Sequence, residues 1–253
     1  QGSSHILKQN AVHYSYSDIP ISEEGTQFML DHYKAVDYFM TPTEYVKYSD
    51  IENGLDSVKL LYNPYGVNLD VFRPTAKPVD KPFDVIMVGS WWKHKACDML
   101  AEACLEKLKV RLLHVGSVVD CQLPTSGLFT HVGFVDERDT PTYYAPAKVF
   151  GMPSLDEGYG LVLLQAAACG LPLVGSSRTG TPDTGVLLGN AKECITIQEP
   201  LSINAIAEAI QLGLDIANAM PEGLRTPYGE CIQNISWEAY GNRWYEILKQ
   251  LTK

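Results

Sequence analysis

From Phe83 onward, short apolar segments typical of strands alternate with apolar-patterned segments typical of helices. A regular alternation of this kind favours a parallel sheet with helices on both faces, because each crossover between parallel strands needs a helix. We therefore predict an α/β fold with a Rossmann-like parallel sheet. Its ligands are expected beyond the carboxyl ends of the strands. The predicted strands are 83–88, 110–115, 130–134, 149–152, 171–175 and 194–197, and the predicted helices are 95–107, 140–145, 160–169 and 204–214.

The residues before Phe83 predict a second, incomplete unit. Residues 23–50 are patterned as a helix, a short extended segment and a helix, and residues 57–62 as a strand. Pro74, Pro78 and Pro82 then mark a stiff linker. We therefore divide the chain at this linker into two domains, 1–72 and 73–253.

A final helix is predicted at about 236–253, with Ser236 as its N-cap. Trp237, Tyr240 and Trp244 share a broad apolar face of it. This face packs either on the second domain or back across onto the first, and the pattern leaves both arrangements open.

The charge and hydropathy of the chain exclude several classes of protein. The formal net charge of the 253 residues is −10, and there is no basic stripe that would bind a nucleic-acid backbone. Apolar runs stay below the ~18 residues that span a bilayer, and no signal peptide is visible. Together with the cysteine pattern described next, this leads us to expect a cytoplasmic protein.

The cysteines and histidines carry no clear ligand pattern. Six cysteines permit disulfides, but the absence of a C-x-x-C pair and the apolar helical setting of Cys97, Cys104 and Cys169 favour reduced thiols. The histidines show no metal-ligand spacing, so we predict no metal site. Trp91 and Trp92 either stack on a nucleotide base or pack beside the strand end.

The segment that follows the strand ending at Met152 has the composition of a ligand loop. Glu157, Gly158, Tyr159 and Gly160 come directly before an apolar helix. The exposed N–H groups at a helix start suit a phosphate, and an acid beside them suits sugar hydroxyls. A tight turn with a helix-start charge is the simpler alternative for these residues taken singly.

Residues 153–172 (PSLDEGYGLVLLQAAACGLP) resemble the donor motif of family-4-like retaining glycosyltransferases, P-S-x-x-E-G-[FY]-G-L-x-x-x-E-A-x-A-x-G-x-P. Residues 88–98 (VGSWWKHKACD) are similar to the family's V-G-R-x-x-x-x-K-G-x-D, and residues 65–74 (YGVNLDVFRP) to its hinge segment. Residues 2–6 (GSSHI) resemble a strand end in one bacterial subgroup. The resemblance implies the two-domain GT-B architecture. In that architecture 1–72 would be the remainder of the acceptor-side first domain with the hinge, 73–253 would be the nucleotide-sugar-binding domain, and most of the first domain would lie upstream of Gln1.

The resemblance also implies a reaction and its partners. A sugar passes, with retention, from a nucleotide-diphosphate sugar such as a UDP- or GDP-sugar to a glycan or lipid-linked acceptor. Polysaccharide biosynthesis is the implied setting, with no cofactor or metal. The missing N-terminal part would support peripheral association with the inner face of the membrane.

Individual roles follow from the same motifs. Glu157 would hold hydroxyls of the donor sugar, and Lys95 would neutralise the departing diphosphate. The loop and helix start, with Gly158 and the amides of Tyr159, Gly160 and Leu161, would bind the donor's phosphates. His5 would face the donor sugar, although a lone histidine is also commonly structural.

Three departures from the motifs leave an alternative function open. Ser90 replaces an arginine, Gln165 replaces the acid that accepts from the ribose, and Ala96 replaces a glycine. An amide accepts without the charge assistance that a carboxylate provides. Lys93 would have to supply the missing cation. The alternative is a catalytically degenerate protein that binds a sugar nucleotide or a partner; another GT-B enzyme, such as a phosphorylase or epimerase, lacks support in the motifs.

Overall fold

A computed structural model of the chain describes residues 27–28, 31–33, 35–75, 80–221 and 227–251. Its first unit pairs strands β1 (Phe39–Thr41) and β2 (Leu60–Tyr62) in parallel, with helix α1 (Glu44–Glu52) between them. Thr43 begins the helix, because its Oγ1 accepts a hydrogen bond from the Val46 N–H at 3.1 Å. The strand predicted at 57–62 is correct only in its second half; Ser57–Lys59 is a 3₁₀ turn.

The second unit is a six-stranded sheet in which every neighbouring pair of strands is parallel. Its spatial order is β5-β4-β3-β6-β7-β8, the doubly wound order of a Rossmann-like fold. The chain reverses direction across the sheet between β3 and β6, so a crevice opens beyond the carboxyl ends of these two strands. The strands are β3 (Phe83–Val88), β4 (Leu112–Val115), β5 (Phe129–Val132), β6 (Ala147–Met152), β7 (Leu173–Gly175) and β8 (Cys194–Thr196).

Helices cover both faces of the sheet, as predicted. Side chains of β3 alternate between two cores: Val85 and Met87 pack with one, and Ile86 packs with the other. Helices α2 and α6 contribute to the first core, and α3 and α4 to the second. The helices are α2 (Cys97–Ala101, continuing in π form over Glu102–Leu108), α3 (Pro141–Tyr144), α4 (Leu161–Ala168), α5 (Thr181–Leu187), α6 (Ile203–Ala219) and α7 (Trp237–Leu251).

Helix α5 was not predicted from the sequence. Its segment contains Pro182 and Gly185 and follows Gly180, a composition typical of a loop. Pro182 nevertheless fits the second position of a helix, where its missing N–H has no intrahelical partner to lose.

Helix α7 lies against the hinge between the two units. Arg243 donates to the Asn63 side chain at 2.9 Å and to the Pro64 carbonyl at 2.7 Å. The Tyr240 hydroxyl reaches Met40 of β1, with an O–S distance of 3.2 Å.

The six cysteines are free thiols, four of them buried. Burial raises the pKa of Cys97 and Cys121 to about 12, so both are neutral at physiological pH. None of the helices in the described ranges is long and apolar enough to cross a lipid bilayer.

Candidate functional site

Lys95 and Glu157 meet at the crevice between β3 and β6. Lys95 ends the 3₁₀ turn that follows β3, and Glu157 lies in the loop that follows β6. The Lys95 Nζ donates to Glu157 Oε2 as an ion pair, and their side chains are 18% and 23% exposed. The structure therefore brings together the two charged residues that the sequence analysis assigned to the site.

Two other elements hold the loop that carries Glu157. The Glu157 N–H donates to the Arg178 carbonyl in the loop after β7, at 3.0 Å. The Thr43 hydroxyl donates to the Gly158 carbonyl at 3.2 Å. Thr43 caps α1, so the first unit contacts the candidate site directly. Sequence reasoning missed Thr43 and Arg178, because neither belongs to a recognised motif.

Gly160 is the N-cap of α4 and adopts a left-handed conformation, with φ of +82°. A Cβ at this position would lie 2.3 Å from Cε of Met152, which is fully buried. Because glycine has no capping side chain, the first N–H groups of α4 keep their hydrogen-bonding capacity for a ligand.

Tyr159 faces the interior, so its side chain is not a ligand group. It is 2% exposed, and its hydroxyl lies 3.0 Å from Oγ1 of Thr184. Its ring leaves no room for a Cβ at Gly180, which would approach it to 2.6 Å. The backbone of Tyr159 is thus the part available to a ligand, as for the neighbouring Gly160 and the half-exposed Leu161.

The buried side chain of His114 contacts the backbone just after β3. The Nε2 of His114 donates to the Gly89 carbonyl at 2.8 Å, and its Nδ1 accepts from Nδ1 of His131 at 2.9 Å. Burial lowers the pKa of His114 to about 4, so its neutral form is retained at physiological pH. The positive φ of Gly89, +131°, turns the chain toward Lys95.

Ser90 and Ala96 depart from the family motif, and Lys93 lies between them. Ser90 Oγ lies 3.4 Å from Ser117 Oγ, and the exposed Lys93 donates its N–H to Asp120 at 2.9 Å. Ala96 has a φ of +51°, a left-handed conformation that costs a residue with a Cβ about 1–2 kcal/mol. The glycine of the motif would avoid this cost.

Gln165 is 8% exposed, and both ends of its side chain are engaged. Its Oε1 accepts from the Tyr144 hydroxyl at 3.3 Å, and its Nε2 donates to Oε1 of Glu137 at 2.9 Å. Sequence reasoning missed Glu137, which lies in the turn after β5 and has no local motif.

A cleft of about 540 Å³ separates the first unit from the α4 N-terminus. Residues 157–161 form one wall, and Asp50 of α1 lies on the opposite side. Asp50 is 6% exposed, and burial raises its pKa to about 6. Sequence reasoning missed Asp50, because its burial depends on tertiary packing.

Asp156 and His94 lie beside the Lys95–Glu157 pair and are drawn toward their neutral forms. Burial raises the pKa of Asp156 and lowers that of His94, while the charge of each opposes the shift of the other.

Trp91 does not join the site. Trp91 is fully buried, with its ring centroid 5.3 Å from that of Phe129, so it packs beside the strand end. His5 lies outside the described residues. Within the described ranges, His, Cys, Asp and Glu form no group of three that could hold a metal ion.

Sequence comparison identifies a family and more distant relatives. The model of the family "Glycosyl transferases group 1" matches residues 82–215, more than half of the chain. The O-antigen chain mannosyltransferase B of Escherichia coli is 36% identical over 84 residues, which are 33% of this chain and 20% of that protein. A GDP-mannose-dependent phosphatidylinositol monomannoside mannosyltransferase of Mycolicibacterium smegmatis is 33% identical over 133 residues, 48% of this chain and 34% of that protein. The chain thus spans about a third or less of the length of these relatives.

Solved structures share the fold at low sequence identity. Sucrose-phosphate synthase from Thermosynechococcus elongatus has a TM-score of 0.72 at 22% identity, covering 96% of this chain and 66% of that one. The Anabaena protein HepE in complex with UDP and glucose has a TM-score of 0.70 at 14% identity, covering 91% of this chain and 68% of that one. With its doubly wound sheet and its matched family model, the chain belongs to the glycosyl transferases group 1 family and has the GT-B fold.

Proposed function

We propose that the chain is the donor-binding part of a glycosyltransferase that transfers sugar from a nucleotide-diphosphate sugar with retention of configuration. The observation that carries this proposal is the Lys95–Glu157 pair beside the α4 N-terminus, at the switch point of the sheet. One cation, one acid and a row of backbone N–H groups converge there on one crevice.

The diphosphate is assigned to the α4 N-terminus and Lys95. A chain with a net charge of −10 repels a diphosphate in general, so binding needs a local concentration of positive charge. The helix start supplies partial positive charge and N–H donors, and Lys95 supplies a full charge. Both stabilise the leaving group as it gains negative charge, and no metal ion is required for this.

The donor sugar is assigned to Glu157, whose carboxylate accepts hydrogen bonds from sugar hydroxyls. The bond between the anomeric carbon and the diphosphate oxygen breaks while the acceptor oxygen bonds to the same face of that carbon. The acceptor proton passes to the departing diphosphate. The Lys95–Glu157 ion pair holds both side chains at the crevice and is exchanged for contacts with the donor.

The relatives guide the choice of substrates. One is named as GDP-mannose-dependent and another as an O-antigen mannosyltransferase, while HepE was solved with UDP. We therefore propose a UDP- or GDP-sugar as donor and a glycan or lipid-linked acceptor in polysaccharide biosynthesis, at the cytoplasmic face of the membrane.

Calorimetric titration with UDP, GDP, CDP and ADP tests the donor site. We expect one diphosphate to bind and Lys95→Ala to weaken it at least about tenfold, the effect of losing one charge-assisted contact. Glu157→Ala should instead weaken the binding of the matching sugar nucleotide, UDP-glucose or GDP-mannose, more than the binding of the diphosphate alone. Lys107→Ala removes the same charge from an exposed position on the helical segment that follows Lys95, and it is the control.

Failure of the folded chain to bind any of the four diphosphates would contradict the donor site. Equal affinities for Lys95→Ala and Lys107→Ala would contradict the role of Lys95. The second candidate is a protein that binds a sugar nucleotide without transferring the sugar. Ser90 favours it, because the structure places a hydroxyl pair with Ser117 where the motif has a cation. Release of diphosphate on addition of an acceptor would exclude this candidate.

A further inference from the structure

The two polar ends of Gln165 face different residues. The Tyr144 hydroxyl is buried and donates to Oε1 at 3.3 Å, and Glu137 accepts from Nε2 at 2.9 Å. A carboxylate can only accept, so the nitrogen of the amide has to face Glu137. The oxygen of Gln165, which sequence reasoning expected to accept from a ligand, is therefore already directed inward to Tyr144.

This pair lies one helical turn from the assigned diphosphate site. Gln165 follows Leu161 by four residues on α4, so the two share a face and are separated by about 6 Å along the helix axis. Glu137 approaches the same face from the turn that follows β5. The group attached to a diphosphate bound at Leu161 would reach Gln165 and Glu137 next.

The Glu137 carboxylate has unused acceptor capacity. Glu137 is exposed, and among the described residues the Gln165 amide is the one group that donates a hydrogen bond to the Glu137 carboxylate. Its neighbour Arg138 is directed to Asp136, with an N–O distance of 4.0 Å. A carboxylate offers about four lone-pair positions, so several remain for a ligand that carries adjacent hydroxyl donors.

We propose that Glu137 binds the ribose hydroxyls of the nucleoside diphosphate and that Gln165 positions its carboxylate. This inference rests on the proposed donor site. A glutamate at 165 would place a second carboxylate against Glu137, so the amide at 165 and the acid at 137 are a matched pair. The negative charge of the ribose site is thus supplied by the turn after β5 rather than by α4.

A charge-exchange experiment tests the assignment. The diphosphate that binds best among UDP, GDP, CDP and ADP is titrated beside its 2′,3′-dideoxy analogue. We expect Glu137→Gln to lower the affinity for the ribonucleotide about tenfold and to leave the affinity for the analogue unchanged, because only the ribonucleotide has the 2′ and 3′ hydroxyls. Gln165→Glu should also lower the affinity for the ribonucleotide, because two carboxylates then face each other. The affinity of the double variant E137Q/Q165E should return to within about threefold of the parent's, because amide and carboxylate have exchanged places.

Asp139→Asn, which removes a neighbouring exposed charge from the same turn, is the control and should not discriminate between the two ligands. An equal loss for ribonucleotide and analogue in Glu137→Gln would overturn the inference, since it would indicate a structural effect. Unchanged ribonucleotide affinity would overturn it as well. If the parent chain binds none of the four diphosphates, the donor site and this inference both fail, whereas normal binding without hydroxyl discrimination contradicts the Glu137 assignment alone.

Discussion

The hydroxyl of Tyr62 donates a hydrogen bond to Oδ1 of Asp183 at 2.7 Å, across 121 positions of sequence. The same oxygen accepts the backbone N–H of Glu44 at 2.9 Å. One carboxylate on α5 therefore anchors both the start of α1 and the end of β2. Asp183 is 4% exposed, and burial raises its pKa while the two donors oppose that rise. The first unit is thus held to the second by a buried acid.

Loss of the Tyr62 hydroxyl should loosen this attachment. We expect Tyr62→Phe to lower the free energy of unfolding by about 1.5–3 kcal/mol, the range for a hydrogen bond to a charged group. Amide hydrogen exchange over residues 39–62 should rise. Thermal melting with hydrogen-exchange mass spectrometry measures both effects.

Tyr48→Phe is the matched control, because Tyr48 lies on α1 with 63% of its surface exposed. It should change neither the melting temperature nor the exchange. Equal behaviour of the two variants would show that the Tyr62–Asp183 contact does not stabilise the chain.

Gly158 and Gly160 should respond differently to the same substitution. Gly160→Ala forces a Cβ into a left-handed conformation against Met152, so we expect a loss of about 1–2 kcal/mol in unfolding free energy. A Cβ at Gly158 meets no atom within 4 Å, so Gly158→Ala should keep the stability of the parent. Chemical denaturation measures the difference.

Because Gly158 lines the cleft, its alanine variant is also a probe of ligand approach. We expect weaker binding of the preferred diphosphate or sugar nucleotide with no change in melting temperature. A Gly158→Ala chain that unfolds as easily as Gly160→Ala would contradict the distinction between the two glycines.

Asp50 should make the chain less stable as the pH rises. Its folded pKa of about 6 exceeds the reference value of 3.8, so the native state binds more protons than the unfolded state between these values. Stability from this group is fully present below about pH 4 and is lost as the pH rises through 6. We expect Asp50→Asn to stabilise the chain by about 2–3 kcal/mol at pH 7.5 and to have little effect at pH 4.

Melting curves of the parent, Asp50→Asn and the exposed control Asp70→Asn at both pH values check this prediction. A gain that is the same at pH 4 and pH 7.5 would indicate that charge burial at Asp50 is not its cause.

The strands and the charged residues of the site could be predicted because their signals lie in short, local stretches of the sequence. Strand β3 was predicted with its observed bounds, because an apolar run is enclosed by Pro82 and Gly89. Glu157 was selected because it stands between a buried strand and a glycine-flanked helix start. Lys95 depended on the resemblance, since a single lysine after a strand carries little information.

Most of the features that could not be predicted depend on contacts between residues far apart in the sequence. Gln165 and Glu137 are 28 positions apart, and Thr43 and Gly158 are 115 apart. No local pattern records such pairs. Burial of Asp50 is likewise set by the packing of α1 rather than by its own sequence. Helix α5 was missed because proline and glycine fit both a loop and the first turns of a helix.

His114 should make the chain less stable as the pH falls. Its pKa is lowered from 6.5 to about 4, so the unfolded state binds more protons between these values. Stability from this group is present above about pH 6.5 and is lost as the pH falls to about 4, by about 3 kcal/mol in all. His114→Gln cannot take up this proton. We therefore expect it to destabilise the chain at pH 7.5, through the weakened contact with the Gly89 carbonyl, and this deficit relative to the parent should shrink steadily as the pH is lowered to 4. Unfolding free energies of the two chains at half-unit pH steps measure the deficit; a deficit that stays constant would show that the buried imidazole is not the titrating group.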